Sequence, residues 1–259
     1  MATIISIVNQ KGGVGKTTTA VNLSASLAIL GKKALLIDID PQGNATSGLG
    51  IGKEKLVNSI YNVFIDDTPL ENTIRNTGIE NLHMIPANND LIGANIELHN
   101  IENKERILRD KTEKSRYKYD YILIDCPPSL GYLTLNALVA SDSVLIPLQC
   151  EFFAMEGLAQ LINTFNLVKS RLNNDLIIQG ILLTMFDRTA HISVEVEKEV
   201  RTHFSDKVFN TTIPRDTKLT ESPSFGKPVM LYDIICKSST AYMLLGKEVI
   251  SLNAKTGVR

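Results

Sequence analysis

Thr3-Ile-Ile-Ser-Ile-Val-Asn9-Gln-Lys11-Gly-Gly-Val-Gly-Lys16-Thr17-Thr18 is the stretch on which the reading of this 259-residue chain turns. A run rich in Ile and Val ends, a glycine-dense turn follows, and Lys-Thr-Thr opens an apolar-periodic segment. That order suits a phosphate cradle. A buried strand fixes the turn, glycines let backbone N–H groups converge on an anion, and a helix beginning at Thr17 adds its positive dipole end. The cradle comprises Gly12, Gly13, Val14, Gly15, Lys16 and Thr18. Lys16 is placed to meet β- and γ-phosphates, and the Thr17 hydroxyl to ligate Mg²⁺. A glycine-rich strand–helix turn without a ligand is the competing reading. A strand, three glycines, two lysines and hydroxyls in register argue against it.

Working outward, 44% hydrophobic content is ample for a sizeable core, and no composition break, linker or internal repeat divides the sequence. One domain over residues 1–259 is expected. The formal charge is −1: residues 1–150 hold 14 Lys+Arg against 16 Asp+Glu, and residues 151–259 hold 13 against 12. Neither half is an obviously basic nucleic-acid module, so any DNA contact must come from a local patch. Cys126, Cys150 and Cys236 are too far apart for a disulfide framework or a paired metal site, which fits a reducing cytoplasm. His83, His99, His191 and His203 show no ligand spacing. No signal peptide and no membrane-spanning length is expected.

Strand-like and helix-like segments alternate. Strands are expected at residues 3–9, 34–40, 81–86, 121–125, 143–148 and 176–183, with an edge strand at 208–213. Helices are expected at 17–30, 93–118, 155–173, 191–204 and 239–252, with Gly31 in the left-handed position after the first. The stripe Met155, Leu158, Leu161, Ile162, Phe165 and Val168 reads as core. Gly48-x-Gly-x-Gly52 neither follows a strand directly nor opens a helix, so it is no dinucleotide fingerprint. Strands apolar throughout, alternating with helices, predict an α/β fold with a mostly parallel twisted sheet covered on both faces. Ligands then bind at the carboxyl ends of the strands, where residues 11–18 lie.

Two acidic strand ends complete a nucleotide site. Asp125, after Tyr-Ile-Leu-Ile, has the form of an apolar strand delivering one carboxylate toward Mg²⁺ through its water shell. In Asp38-Ile-Asp40-Pro-Gln-Gly43, period-two geometry sets Asp38 and Asp40 on one side of their strand. Two acids pointing one way beside a phosphate loop call for a cation between them.

The usual loop G-x-x-x-x-G-K-[ST] would have glycine at position 10, where this chain has Gln10, and a second lysine, Lys11, opens the turn. Lys-Gly-Gly-Val-Gly-Lys-Thr-Thr resembles the deviant loop of the ParA/MinD group of P-loop ATPases. Asp40-Pro-Gln-Gly-Asn-Ala-Thr-Ser-Gly-Leu-Gly50, Asp125-Cys-Pro-Pro-Ser-Leu-Gly131, Pro147-Leu-Gln-Cys-Glu-Phe-Phe-Ala-Met-Glu-Gly157 and Ser222-Pro-Ser-Phe-Gly-Lys-Pro228 are similar to its chromosomal ParA/Soj branch. The resemblance implies ATP hydrolysis with Mg²⁺. It implies that Asp40 positions or deprotonates the attacking water, with Asp38 nearer the metal shell, and that Lys11 and Lys16 act on the phosphates.

A cradle already holding Lys16 gains little from a second cation in the same subunit. In the family the equivalent of Lys11 reaches across a two-fold axis to the partner's ATP, so ATP binding makes a homodimer. The segment Ile213-Pro-Arg-Asp216 then borders the adenine through Pro214 and Asp216, where other members often carry Asn. Arg188, beside Thr189, together with Lys218, Lys227 and Lys247, are the candidates for non-specific contact with double-stranded DNA. The implied partner is a ParB/Spo0J-like centromere-binding protein that stimulates hydrolysis, and the implied location is the nucleoid within the cytoplasm. A MinD-like, membrane-associated division ATPase is the alternative. It would need a basic amphipathic carboxyl-terminal helix, whereas Ile250-Ser-Leu-Asn-Ala-Lys-Thr-Gly-Val-Arg259 is short and weakly apolar, so no membrane is expected. Electron-transfer relatives resembling nitrogenase iron protein would need suitably spaced cysteines, which this chain lacks.

Overall fold

The computed structural model describes residues 1–151 and 154–256. Phe152 and Phe153, inside one of the family-like motifs, and residues 257–259 of the weakly apolar end lie outside the described residues. Among the described residues one sheet is built from β1 (Thr3–Ile7), β2 (Ala34–Asp38), β3 (Arg75–Asn76), β4 (Leu82–Ile85), β5 (Tyr121–Asp125), β6 (Ser143–Gln149) and β7 (Ile177–Thr184). Their order is β3-β4-β2-β5-β1-β6-β7. All neighbours are parallel except β3, which pairs antiparallel with β4 at the edge.

Strands buried on both faces must be apolar at consecutive positions, and period-two geometry then divides them between two cores. In β1, Ile4 joins one cluster while Ile5 and Ile7 join the other; β5 divides Ile122 and Ile124 from Leu123 in the same way. The connecting helices are α1 (Lys16–Ile29), α2 (Asn44–Gly48), α3 (Ile60–Ile65), α4 (Leu91–Glu97), α5 (Ile107–Glu113), α6 (Tyr132–Ala140), α7 (Ala154–Arg171), α8 (His191–Phe204), α9 (Lys218–Glu221), α10 (Val229–Tyr232) and α11 (Lys237–Thr256). One face is covered by α1 and α11, through Leu23, Leu27, Tyr242 and Leu245. Helices α3 to α8 cover the other, through side chains such as Val63, Leu108, Leu133, Leu158 and Val196. The α/β fold with helices on both faces is as the sequence implied.

Three details differ, each for a stated reason. The expected helix over 93–118 is broken into the separate α-helices α4 and α5 and two short 3-10 turns, and Asn136 of α6 intervenes before α5: its Nδ2 donates to Lys104 O (2.6 Å) and its Oδ1 accepts from Leu108 N (3.1 Å). A tertiary side chain thus takes backbone groups that a continuous helix would have paired. The expected edge strand at 208–213 is reduced to single bridges, Ile181 with Val208 and Phe186 with Pro214. Between them the N–H groups of Asn210 and Thr211 donate to the Glu248 carboxylate on α11 (2.6 and 3.0 Å), which removes them from any ladder. Finally, β2 stops at Asp38, so Asp40 lies in the following turn and not on the strand.

Candidate functional site

The chain leaves β1 outward to β2 on one side and leaves β5 toward β6 on the other, and the site lies at the carboxyl ends of these strands. Ile7, Asp125 and Asp38 sit at one level in the register. Asn9 fixes the start of the glycine turn: its Nδ2 donates to Pro147 O (2.7 Å) and its Oδ1 accepts from Lys11 N (2.9 Å). Gly13 (φ 76°) and Gly15 (φ 90°) adopt the left-handed conformation that a side chain would strain. The Thr184 hydroxyl at the end of β7 donates to Val14 O (2.8 Å), tying the turn to the far side of the sheet. No side chain caps α1 and no acid occupies its first turn, which leaves its amino end open to an anion.

Lys16 is buried, and its Nζ donates to Lys11 O (3.0 Å). Burial lowers its pKa, while the charges of Asp125, Cys126 and Asp40 oppose that shift. Both neighbouring strand-end acids are fully buried. Asp38 is saturated. Its Oδ2 accepts from Thr46 N (2.9 Å) and Thr46 Oγ1 (2.7 Å), and its Oδ1 accepts from Asp40 N (3.1 Å). Burial nevertheless pushes its pKa up to about 6 against these hydrogen bonds.

Asp125 is the reverse: neither carboxylate oxygen has a hydrogen-bond partner. Burial, then the nearby Asp38 charge, raises its pKa well above the usual range, and the adjacent Thr17 hydroxyl only partly opposes the rise. An orphaned buried carboxylate beside a threonine hydroxyl and an ammonium fits a hydrated divalent cation. Asp40 caps its own turn, accepting from Gln42 N through Oδ1 (2.9 Å) and from Gly43 N through its carbonyl (2.8 Å). The sequence argument that Asp38 and Asp40 share a strand face around a cation is therefore corrected, since Asp38 is satisfied by Thr46 and Asp40 lies beyond the strand.

A cavity of about 500 Å³ runs from Gly15, Thr17 and Thr18 to Pro214, Arg215 and Asp216. It unites the phosphate-side and base-side candidates. Asp216 is itself engaged: Oδ1 accepts from Lys218 N (3.0 Å), and Oδ2 from Ser238 Oγ (2.8 Å) and Ser238 N (3.3 Å). Burial opposes the result, but these donors hold its pKa below the usual range. The carboxylate thereby joins the start of α9 to the start of α11. Near the cavity Gly226 meets Gly50 so closely that a Cβ on Gly226 would lie 2.6 Å from the Gly50 Cα. Lys227, nominated from sequence for DNA, lines this nucleotide-sized cavity.

The remaining cations divide. Lys11 forms an ion pair with Glu151 (2.7 Å), with both side chains nearly half exposed. Lys218 pairs with Glu221 (2.9 Å) and lies over the Tyr232 ring. Arg188 and Lys247 are exposed, and neither is in a salt bridge among the described residues. Sequence reasoning missed Asn9, Thr46, Thr184 and Arg215. Asn9, directly before the glycine turn, carried a local signal. Thr46 and Thr184 carried none, because their partners lie across the fold.

The chain matches known proteins over its length. A model of the AAA domain family (AAA_31) matches residues 2–178. The chain is 54% identical over 249 residues to the sporulation initiation inhibitor protein Soj of Bacillus subtilis (strain 168), covering 96% of this chain and 98% of that one. It is 54% identical over 247 residues to the chromosome partitioning protein ParA of Myxococcus xanthus (strain DK1622), covering 95% and 87%. Among solved structures, cobyrinic acid a,c-diamide synthase from Mycobacterium smegmatis with a bound ATP analog and magnesium is 33% identical. That match has a TM-score of 0.86 and covers 99% of this chain and 97% of the other. No helix among the described residues is long and apolar enough to cross a membrane.

Proposed function

The chain belongs to the ParA/Soj family of partitioning ATPases, and from that premise we propose that it acts as one domain whose Mg-ATP-bound form dimerises and binds double-stranded DNA without sequence preference. It is an ATPase, with ATP as substrate and Mg²⁺ as cofactor. The single observation that carries the chemistry is the Asp125 carboxylate, buried and without a hydrogen-bond partner beside Thr17 and Lys16. Mg²⁺, when bound, supplies charge neutralisation at the β- and γ-phosphate oxygens.

This chain's own residues do the rest. The N–H groups of the glycine turn and the start of α1 cradle the phosphates, and Lys16 exchanges the Lys11 carbonyl for a phosphate oxygen. Thr17 and Asp125 hold the hydrated metal. Asp40, at the head of its turn, orients the attacking water, while Asp38 holds that turn in place through Thr46. Pro214 and the backbone around Asp216 border the base. Lys11 leaves Glu151 and completes the neutralisation of the partner's triphosphate, so hydrolysis returns separate subunits. A ParB-like centromere-binding protein accelerates that step on the nucleoid.

The test is sizing by light scattering together with DNA retention, in ATP, ADP and no nucleotide. ATP should give a dimer that retains DNA, Lys16→Ala should abolish both, and Lys11→Ala should bind ATP yet stay monomeric. A chain that remains solitary with ATP bound would overturn the dimer, and one that hydrolyses ATP without retaining DNA would overturn the partitioning mechanism.

A further inference from the structure

The turn that presents Asp40 is held from two sides. On the inner side Asp38 Oδ1 accepts from Asp40 N (3.1 Å), and Thr46, which donates to Asp38 Oδ2, itself accepts from Ala87 N (3.0 Å). On the outer side stands a residue that the sequence did not nominate, Lys53, which opens the 3-10 turn Lys53–Lys55. Its Nζ donates to the Gln42 carbonyl oxygen. The same peptide unit, through Gly43 N, donates to Asp40 O (2.8 Å) and so closes the turn. Gln42 N, one peptide earlier, donates to Asp40 Oδ1 (2.9 Å).

A donor on an amide oxygen polarises the amide and strengthens the hydrogen bond that its N–H gives, and a charged donor does so more than a neutral one. Lys53 therefore tightens the bond from Gly43 N to Asp40 O. It also fixes Gln42, whose own N–H reaches the Asp40 carboxylate. Gly43 makes room for the lysine. It adopts a left-handed φ of 58°, and a Cβ there would lie 2.8 Å from Lys53 Cε and 3.2 Å from Ala87 O. The lysine stem and the bare glycine fit as a pair.

The segment that carries Lys53 is itself anchored. Ile51 N donates to Thr46 O (3.1 Å), and a Cβ on Gly50 (φ 76°) would lie 3.2 Å from Gly226 O, so the backbones meet there directly. Lys53 is in no salt bridge among the described residues, which leaves its ammonium committed to the Gln42 carbonyl. Neither Lys53 nor Gln42 lines the nucleotide cavity. Whatever Lys53 contributes to the reaction thus passes through the turn and not through contact with ATP.

We propose that Lys53 is a positioning residue for ATP hydrolysis: its grip on the Gln42–Gly43 peptide holds the turn in the geometry from which Asp40 orients the attacking water. The proposal rests on the reading of Asp40 given above. Misplacing a group that acts on the attacking water raises the barrier to the chemical step and leaves ground-state binding of ATP alone, so the effect falls on kcat and not on KM.

The experiment is steady-state ATP hydrolysis by the full chain across an ATP titration, with thermal midpoints measured on the same preparations. Lys53→Met keeps an unbranched stem over Gly43 and loses the donor. It should lower kcat about three- to tenfold with KM for ATP within about twofold of wild type. Its midpoint should stay within about 2–4 °C, since the bond lies on an exposed flank. Lys53→Arg restores a charged donor and should recover most of the lost kcat. Lys33→Ala, at the opposite end of β2, should change neither constant. Asp40→Asn should lower kcat about a hundredfold or more. If Asp40→Asn is depressed while Lys53→Met turns over at the wild-type rate, the Lys53 assignment is wrong and the role of Asp40 stands. A loss that Lys53→Arg fails to restore, or one confined to KM, overturns the assignment equally. An Asp40→Asn variant with wild-type kcat overturns the reading of Asp40 instead.

Discussion

Asp38 and Asp125 end adjacent strands in register, and both are fully buried. In sequence they look alike, each an acid closing an apolar run. Their surroundings are opposite. Asp38 accepts three hydrogen bonds, two from Thr46 and one from the Asp40 backbone, and so organises the turn that presents Asp40. Asp125 has no partner at full hydrogen-bond geometry, and only the neighbouring Thr17 hydroxyl and Lys16 temper its charge. A satisfied buried carboxylate holds structure together, whereas an orphaned one holds a debt of solvation that only a ligand removes. The comparison separates an acid whose hydrogen bonds are satisfied within the fold from one left open to a ligand, without reference to any relative.

The sharpest way to break that comparison is the same substitution at both ends. Asp125→Asn should lower ATP turnover by about two orders of magnitude or more, since the metal loses its charged anchor. It should also raise the thermal midpoint of the nucleotide-free protein, because the desolvation of a buried carboxylate outweighs what Thr17 and Lys16 return to it. Asp38→Asn should lower the midpoint. The new amide donates where Thr46 N or Asp40 N also donates, leaving a buried donor unpaired at about 1–3 kcal/mol. Calorimetry of both variants without nucleotide decides the matter. Shifts of the same sign at the two positions would mean that the distinction drawn from hydrogen bonding is false.

A pH series sharpens it next. Asp38 moves from an ordinary 3.8 up to about 6 on folding, and burial raises Asp125 well above the usual range in the same direction. A raised carboxylate pKa means that the native state binds more protons than the unfolded one, so these groups favour folding at low pH and lose that advantage as pH rises. From these two groups, the nucleotide-free stability should decline from the ordinary carboxylate range through about 6 and continue downward above it. Asp125→Asn should remove the upper part of that decline and leave the lower part. Thermal midpoints of wild type and variant across the series provide the check. A wild-type curve no steeper than the variant's above that value would count against an elevated Asp125.

The same contrast explains what could be read from the sequence. The glycine turn and the helix after it were legible because their signals are local: glycines at 13 and 15 adopt positive φ, and Lys16 and Thr17 open α1 directly after them. β1 and β5 were legible because strands buried on both sides must be apolar at every step. The difference in hydrogen bonding between Asp38 and Asp125 was not legible, since it depends on Thr46 folding back over Asp38. The failed strand at 208–213 and the interrupted helix over 93–118 have a similar origin. Glu248 and Asn136, both remote in sequence, take backbone groups that local patterning assigned elsewhere.

The smallest expected effect concerns a third carboxylate, Glu151, which meets Lys11 at 2.7 Å on a surface where both partners are nearly half exposed. Unlike the two buried acids, it is well solvated, and an exposed ion pair of this kind contributes about 0–1 kcal/mol. Glu151→Gln should therefore leave the thermal midpoint of the separate subunit within about 2–4 °C. Its consequence should appear elsewhere. Freed from its own subunit's carboxylate, Lys11 is more available to a second triphosphate, so the ATP concentration giving half-maximal dimer should fall by up to about fivefold. Light scattering across an ATP titration measures this directly. A half-maximal concentration that rises instead would mean that Glu151 supports Lys11 in the dimer and does not merely hold it in the monomer.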